Sequence, residues 1–199
     1  MNYLAHAYLS FGNSGILAGN MSSDFIKGKK QYSYPGIFQK GIRLHRAIDA
    51  FTDSHKATAG LKQFFKEPYG LYAGVFTDVV YDYFLANDVN EFPAADHLQQ
   101  FVSDTYTLLE SQVDKLPENF LPVLRSMQHH NWLFHYRYPQ GIQKSFAGII
   151  HRAKFITDAD TAYNIFQDNR EAMQPYYDEF FPLLKKYAIH TLEELLGTD

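Results

Sequence analysis

Within Gly41–His55, GIRLHRAIDAFTDSH, an imidazole and two carboxylates recur at four-residue intervals as His45, Asp49 and Asp53. Helical positions four apart are offset by only about 40°, so these side chains climb one slowly drifting face. Stacked one turn apart, imidazole and carboxylate can share a proton, form an ion pair or hold a divalent cation. A second pair, Asp78 and Asp82, supplies the only formal charges of GVFTDVVYDYFL. Isolated buried carboxylates are costly, and two on one face either raise a pKa or attract a cation. The competing structural use is that one caps a neighbouring helix while the other pairs with Arg43 or Arg152. Asp24, between GNMSS and Phe25-Ile26, and His6 in the first segment have ordinary uses too, as a helix cap and a core-edge imidazole.

Helices that turn His and Asp inward can build a metal centre in an α-helical core. A divalent ion so held acidifies water and neutralises charge on a phosphoryl oxygen. The glycine-lysine phosphate loop, the serine-hydrolase elbow and the zincin histidine pair are all missing from the sequence, which removes support for those mechanisms. Residue types alone therefore reach a metallohydrolase and leave its substrate open.

The elements that must position these groups read as helices. Asn2–Ser10 is a short aromatic helix, and a turn at Gly12–Gly15 leads to a second helix loosened by Gly19. Pro35 suits the first turn of the helix that carries His45 and Asp49, whose apolar repeat is Ile42, Ile48 and Phe51. Ala57–Lys66 follows and is expected to stop at Pro68. Tyr69–Asn87, apolar on nearly every face, reads as a central buried helix. Pro93 opens an amphipathic helix, Phe120–His135 another, and Ile142–Phe155 a third. The last, about Ala159–Tyr187, is expected to kink or split at Pro175 and Pro182. Strand alternation is scarce and no linker divides the chain, so the expectation is one all-α domain of about seven to nine helices spanning residues 1–199.

Composition narrows the chemistry. With no Cys, a cation must sit on imidazole, carboxylate, carbonyl or water, a set that favours Mn or Mg while also suiting Zn and Fe. A net charge of −4 gives no basic excess for general nucleic-acid binding. Seventeen Phe and fifteen Tyr argue for a packed core over disorder. No apolar run reaches the roughly 18 residues of a membrane span, and no convincing secretory leader is seen; a soluble cytoplasmic protein is expected.

At NYLAHAYLS, GNMSSDFIKG, GIRLHRAIDAFTDSH and DVVYDYFLA, and more weakly from NWLFHYRYPQGIQ to the GIIHR ending at Arg152, the sequence resembles the acyl carrier protein phosphodiesterases. The resemblance implies a Mn-dependent, all-α fold akin to divergent HD-type phosphohydrolases. It also implies hydrolysis of 4′-phosphopantetheine from the serine of holo-acyl carrier protein. By position it places Asp24, His45, Asp49, Asp78 and Asp82 at the metal centre, with His6 and Asn20 in matched motifs. Asp24, His45 and His6 are the expected catalytic groups, acting as base or as proton donor to the leaving serine. Asn20 is expected to face substrate, and Arg43, Arg46 or Arg152 can clamp the phosphodiester through paired donors. Lys27, Lys29, Lys30 and Lys154 can steer an acidic carrier protein. Two positions depart from the pattern: Tyr8 and Tyr83 stand where His is expected. His129 and His130 read as surface residues, Trp132, Phe134 and Tyr136 as packing, and Asp53 and His55 either as structural residues or as groups standing behind the ligands. Rival readings are an HD-like hydrolase of a nucleotide or other small phosphoester, and a non-catalytic helical module that binds carrier protein or lipid.

Overall fold

The structure, a computed structural model, describes residues 1–197. Among them are ten α-helices and no strand: α1 (Tyr3–Tyr8), α2 (Ser14–Ser22), α3 (Gly36–Ser54), α4 (Lys56–Tyr69), α5 (Ala73–Ala86), α6 (Ala95–Glu110), α7 (Leu121–His129), α8 (Trp132–His135), α9 (Pro139–Arg152) and α10 (Asp160–Gly197). Among the described residues no helix is long and apolar enough to cross a membrane.

The tightest crossing joins α2 to α3. A Cβ on Gly19 would fall 2.1 Å from the Phe38 carbonyl oxygen, and one on Gly41 2.3 Å from that of Ile16. Only two glycines let these backbones touch, and the contact brings Asn20 of α2 and His45 of α3 to the same end of the core. Helix α2 starts where the Asn13 side chain accepts from the Gly15 and Ile16 N–H groups. On α3, Phe38, Ile42, Leu44 and Ile48 are buried, and they seat the helix so that His45 is carried into the core with them.

Helix α1 is too short to be stable alone. It is held by α5: Asp82, fully buried, accepts from the N–H groups of Leu4 (2.8 Å) and Ala5 (3.1 Å). A carboxylate at a helix N-terminus satisfies orphan donors and complements the dipole.

Four boundaries differ from expectation. The helix expected at Ile142–Phe155 runs Pro139–Arg152, because Pro139 takes the first helical turn, where its missing N–H costs nothing. Pro68 lies inside α4, where it removes one bond from a turn that ends two residues later at Gly70, φ 53°. That positive φ and the 3-10 turn Gly70–Tyr72 delay α5 until Ala73. Phe120–His135 is two helices, broken at Asn131, whose backbone is left-handed (φ 48°); this break raises the helix count above the expected range. Pro175 and Pro182 do not split α10, which runs on to Gly197. Met173, Tyr177, Phe180, Phe181 and Leu184 are buried along that stretch, and their burial outweighs the roughly 3 kcal/mol a mid-helix proline costs.

Candidate active site

Asp49 is the hub. Its Oδ1 lies 3.2 Å from the α-ammonium of Met1 and 3.2 Å from His6 Nε2, and its Oδ2 lies 3.1 Å from His45 Nε2. His45 Nε2 also stands 3.2 Å from Asp24 Oδ1. The two imidazoles stack, with centroids 4.0 Å apart and planes 17° apart. Helices α1 and α3 thus supply the rings, α3 the central carboxylate, and the 3-10 turn Ser23–Phe25 supplies Asp24 from the solvent side.

A second bond fixes the tautomer of His6. Its Nδ1 lies 2.8 Å from Asn20 Oδ1, and the Asn20 amide nitrogen donates to the His6 carbonyl and to Ser10 Oγ, both at 3.0 Å. With the amide nitrogen committed to two acceptors, Asn20 Oδ1 can only accept, so His6 Nδ1 carries the proton. His6 Nε2 is then a bare lone pair. Although 3.2 Å from Asp49 Oδ1, it makes no hydrogen bond. Burial and the neighbouring His45 push the His6 pKa down to about 4, which keeps the ring neutral. A lone pair and a carboxylate facing each other call for a cation between them. One donor atom from each of His6, His45 and Asp49 falls within 4.8 Å of the others. This N,N,O set fits a divalent ion of the Mn, Fe or Zn kind. His45 has no equivalent lock, since its Nδ1 is buried without a partner.

The remaining electrostatics follow from burial set against charge. For His45, burial opposes the charged ring, but hydrogen bonds to Asp24 and Asp49 prevail and raise its pKa to about 9. Asp49 is driven far below the carboxylate range by its hydrogen bond to charged His45 and by the Met1 α-ammonium, despite its burial. Asp24 is lowered by its bond to His45. For the Met1 α-ammonium, burial is again outweighed, by Asp78 (Oδ1 3.3 Å) and Asp49, and its pKa rises to about 10.

Of the five expected metal ligands, Asp24, His45 and Asp49 therefore meet, and His6 joins them. Asp78 reaches the cluster only through Met1. Asp82 does not join it, because both its oxygens are occupied by the backbone of α1. Helix capping is thus the use Asp82 serves, while the cation beside Asp78 is the Met1 α-ammonium instead of an arginine. Asp53 pairs with Lys62 at 2.8 Å, and His55 Nδ1 accepts from the Ala57 N–H.

The cluster lies in the wall of a cleft of about 740 Å³, bounded by α1, α2, α5, α8 and α9. Arg152 lines it; Arg43 and Arg46 do not. Both are exposed, and Arg46 donates to Gln31 on the outer surface at 2.9 Å. Trp132 and Tyr136 form cleft wall as well as packing, and exposed His129, His130 and His135 border it. The two departures lie outside the cleft. Tyr8 donates to Glu91, which also holds Lys185, and packs on Phe92 and Phe101; Tyr83 packs on Phe166. Neither replaces a group at the cluster. Sequence reasoning missed the Met1 amine, which no side-chain pattern reveals. It also missed Lys144 and Gly148, which share the cleft face of α9 with the expected Arg152 at four-residue spacing.

An all-helical core that opens a histidine–aspartate cluster onto a deep cleft defines the class. Within it, the chain belongs to the acyl carrier protein phosphodiesterase family, whose sequence profile matches residues 1–184. It is similar to proteins named acyl carrier protein phosphodiesterase from Photorhabdus laumondii (24% identical over 94% of this chain and 95% of the relative) and Escherichia coli (25% over 96% and 98%). A relative of the same name from Shigella boydii is 25% identical over 96% of this chain and 98% of its own. No solved structure matches the chain.

Proposed function

We propose that the chain hydrolyses the phosphodiester between 4′-phosphopantetheine and the serine of holo-acyl carrier protein in the cytoplasm, with Mn²⁺, or Mg²⁺ in its place, as cofactor. The observation that carries this is the lone pair of His6 Nε2, aimed by Asn20 at Asp49 beside His45, in the wall of a cleft large enough for an extended substrate arm.

His6, His45 and Asp49 would hold the ion, with Asp24 within reach of the same place. When bound, it supplies neutralisation of phosphoryl charge and acidification of water. Arg152 orients the diester by donating to its non-bridging oxygens. Asp24, the most exposed carboxylate of the cluster, accepts the proton of the attacking water. Water oxygen bonds to phosphorus as the phosphorus–serine Oγ bond breaks. Oγ leaves with the electron pair and takes its proton from solvent at the rim, since both Nε2 atoms face Asp49. The products are apo-carrier protein and 4′-phosphopantetheine. The basic surface of Lys27, Lys29, Lys30 and Arg46, next to Asp24 in sequence or bonded to that segment, suits an acidic protein partner.

The test is to incubate holo-acyl carrier protein with the chain and Mn²⁺ and follow the carrier mass. Loss of the prosthetic group is expected. No conversion with Mn²⁺, Mg²⁺, Fe²⁺ or Zn²⁺ overturns the reading, and phosphate release from nucleotides in its place would point to a small-phosphoester hydrolase.

A further inference from the structure

Helix α9 presents one face to the cleft through Lys144, Ser145, Gly148, Ile149 and Arg152. At about 100° per residue these positions span an arc of roughly 140°, and Gly148 lies inside it between Lys144 and Arg152. A Cβ built on Gly148 would meet nothing within 4 Å. Elsewhere a glycine on this helix is explained by crowding: at Gly141 a Cβ would fall 1.9 Å from the His135 carbonyl oxygen. Gly148 has no such neighbour and sits in mid-helix, where glycine is the poorest residue short of proline. Its missing side chain leaves open space along the cleft.

The two ends of that space differ. Arg152 lines the cleft together with Tyr3, His6, Asp24 and His45, and it is the α9 cation assigned above to the diester. Lys144 lies two turns away, about 12 Å along the axis, toward the end where α9 packs on His135. The same cleft is lined by Trp132 and Tyr136, which give apolar wall, and by Asn131 and Ser145, which give polar atoms.

We infer that Gly148 is the specificity-determining position of this site: it opens a lane along α9 for the uncharged, amide-bearing arm of the substrate, which runs from the phosphodiester at Arg152 toward Lys144. The inference rests on the reading that the substrate is a phosphopantetheine diester. The direction follows from size, because the serine side is a folded protein that must stay at the rim, and only the arm is slender enough to enter. The apolar walls suit the branched carbons of the arm, and the polar atoms suit its amides.

Gly148→Leu tests this, because its Cβ meets nothing within 4 Å and its branched end would extend into the lane. The ratio of kcat/KM on holo-acyl carrier protein to that on bis(4-nitrophenyl) phosphate, which has no such arm, should fall at least tenfold. The Kd for 4′-phosphopantetheine, read by calorimetry, should rise at least tenfold, with Mn²⁺ affinity and helical content retained. An unchanged ratio or unchanged 4′-phosphopantetheine affinity overturns the inference, as does failure of the wild-type chain to bind 4′-phosphopantetheine. Wild-type binding without turnover of any carrier protein would instead sink the proposed activity and leave the lane standing.

Discussion

His6 and His45 lie face to face at 4.0 Å, and their Nε2 atoms approach opposite oxygens of one carboxylate, that of Asp49, at 3.2 and 3.1 Å. Stacked imidazoles cannot both hold a proton cheaply, and their surroundings separate them: burial pushes His6 down to about 4, while Asp24 and Asp49 raise His45 to about 9. A divalent ion needs both rings neutral at Nε2. His6 is already so, fixed by Asn20, and His45 must release a proton.

The lock on His6 makes Asn20 a measurable contributor to cation affinity. Asn20→Ala removes the acceptor that holds the proton on Nδ1, so Nε2 is no longer restricted to the lone-pair form. Partners behind a metal ligand are typically worth 10–100-fold in affinity. Mn²⁺ titration followed by electron paramagnetic resonance should show a Kd higher by about that factor. An unchanged Kd would mean that His6 is not a ligand.

Proton linkage gives a second expectation. Between about pH 6.5 and 9 the folded, metal-free chain keeps a proton on His45 that the unfolded chain has released, so stability falls as pH rises. The Met1 ammonium, raised from 8.0 to about 10, continues the fall. Below pH 7 opposite signs meet. His6, held neutral, makes stability rise with pH between about 4 and 6.5; Asp82, which burial pushes up to about 7, makes it fall from about 3.8 to 7. Urea melts with chelator present should show a shallow slope between about pH 4 and 7, a steeper alkaline fall, and a further loss below about pH 4 as the depressed carboxylates of Asp49 and Asp24 take up protons. His45 alone accounts for about 3 kcal/mol of that alkaline fall. Mn²⁺ affinity should run the other way, rising toward pH 9 as His45 gives up its proton. A flat alkaline limb in wild type would refute the His45 assignment.

Asp24 and Asp82 separate chemistry from architecture. Asp24→Ala should abolish turnover while lowering the unfolding midpoint less than Asp82→Ala does, since its side chain is 79% exposed and Asp49 still pairs with His45. Asp82→Ala strips the caps from Leu4 and Ala5, and should cost about 1–3 kcal/mol and loosen α1. Circular dichroism melts beside carrier-protein assays check both. Equal destabilisation by the two substitutions would contradict these assignments.

What the sequence could reveal divides along physical lines. The all-α architecture and the helix bearing His45 and Asp49 follow from apolar periodicity, which depends only on local spacing. Pairings between distant segments depend on packing. Asp82 looked like a ligand because a buried charge needs a partner, and periodicity cannot say whether that partner is a cation or the N–H groups of α1. Pro175 and Pro182 misled for a similar reason: backbone preference is local, whereas the burial of Tyr177 and Phe181 that overrides it is not. Gly148 signals its role only once its surroundings are known to be empty.

The α-ammonium of Met1 yields the last prediction. It is buried between Asp49 and Asp78, at 3.2 and 3.3 Å, so its charge offsets two carboxylates beside the imidazoles. Burial raises the pKa of Asp78, and the ammonium is the largest influence holding it down. Acetylating Met1, or joining residues ahead of it, replaces that cation with a neutral amide and leaves Asp78 half-buried without a counter-charge. Removing one partner of such a pair costs about 3–5 kcal/mol when both are fully buried. With Asp78 and Asp49 at 29% and 39% exposure, solvent screening reduces this to about 1–3 kcal/mol. A chain with an uncleaved N-terminal extension should therefore melt lower than the same chain cleaved to begin at Met1, whereas a C-terminal extension should have no effect. Asp78→Asn should shrink the difference, because the carboxylate that needs the ammonium is then absent. Equal melting of the extended and cleaved chains would show that the Met1 charge contributes nothing to the site.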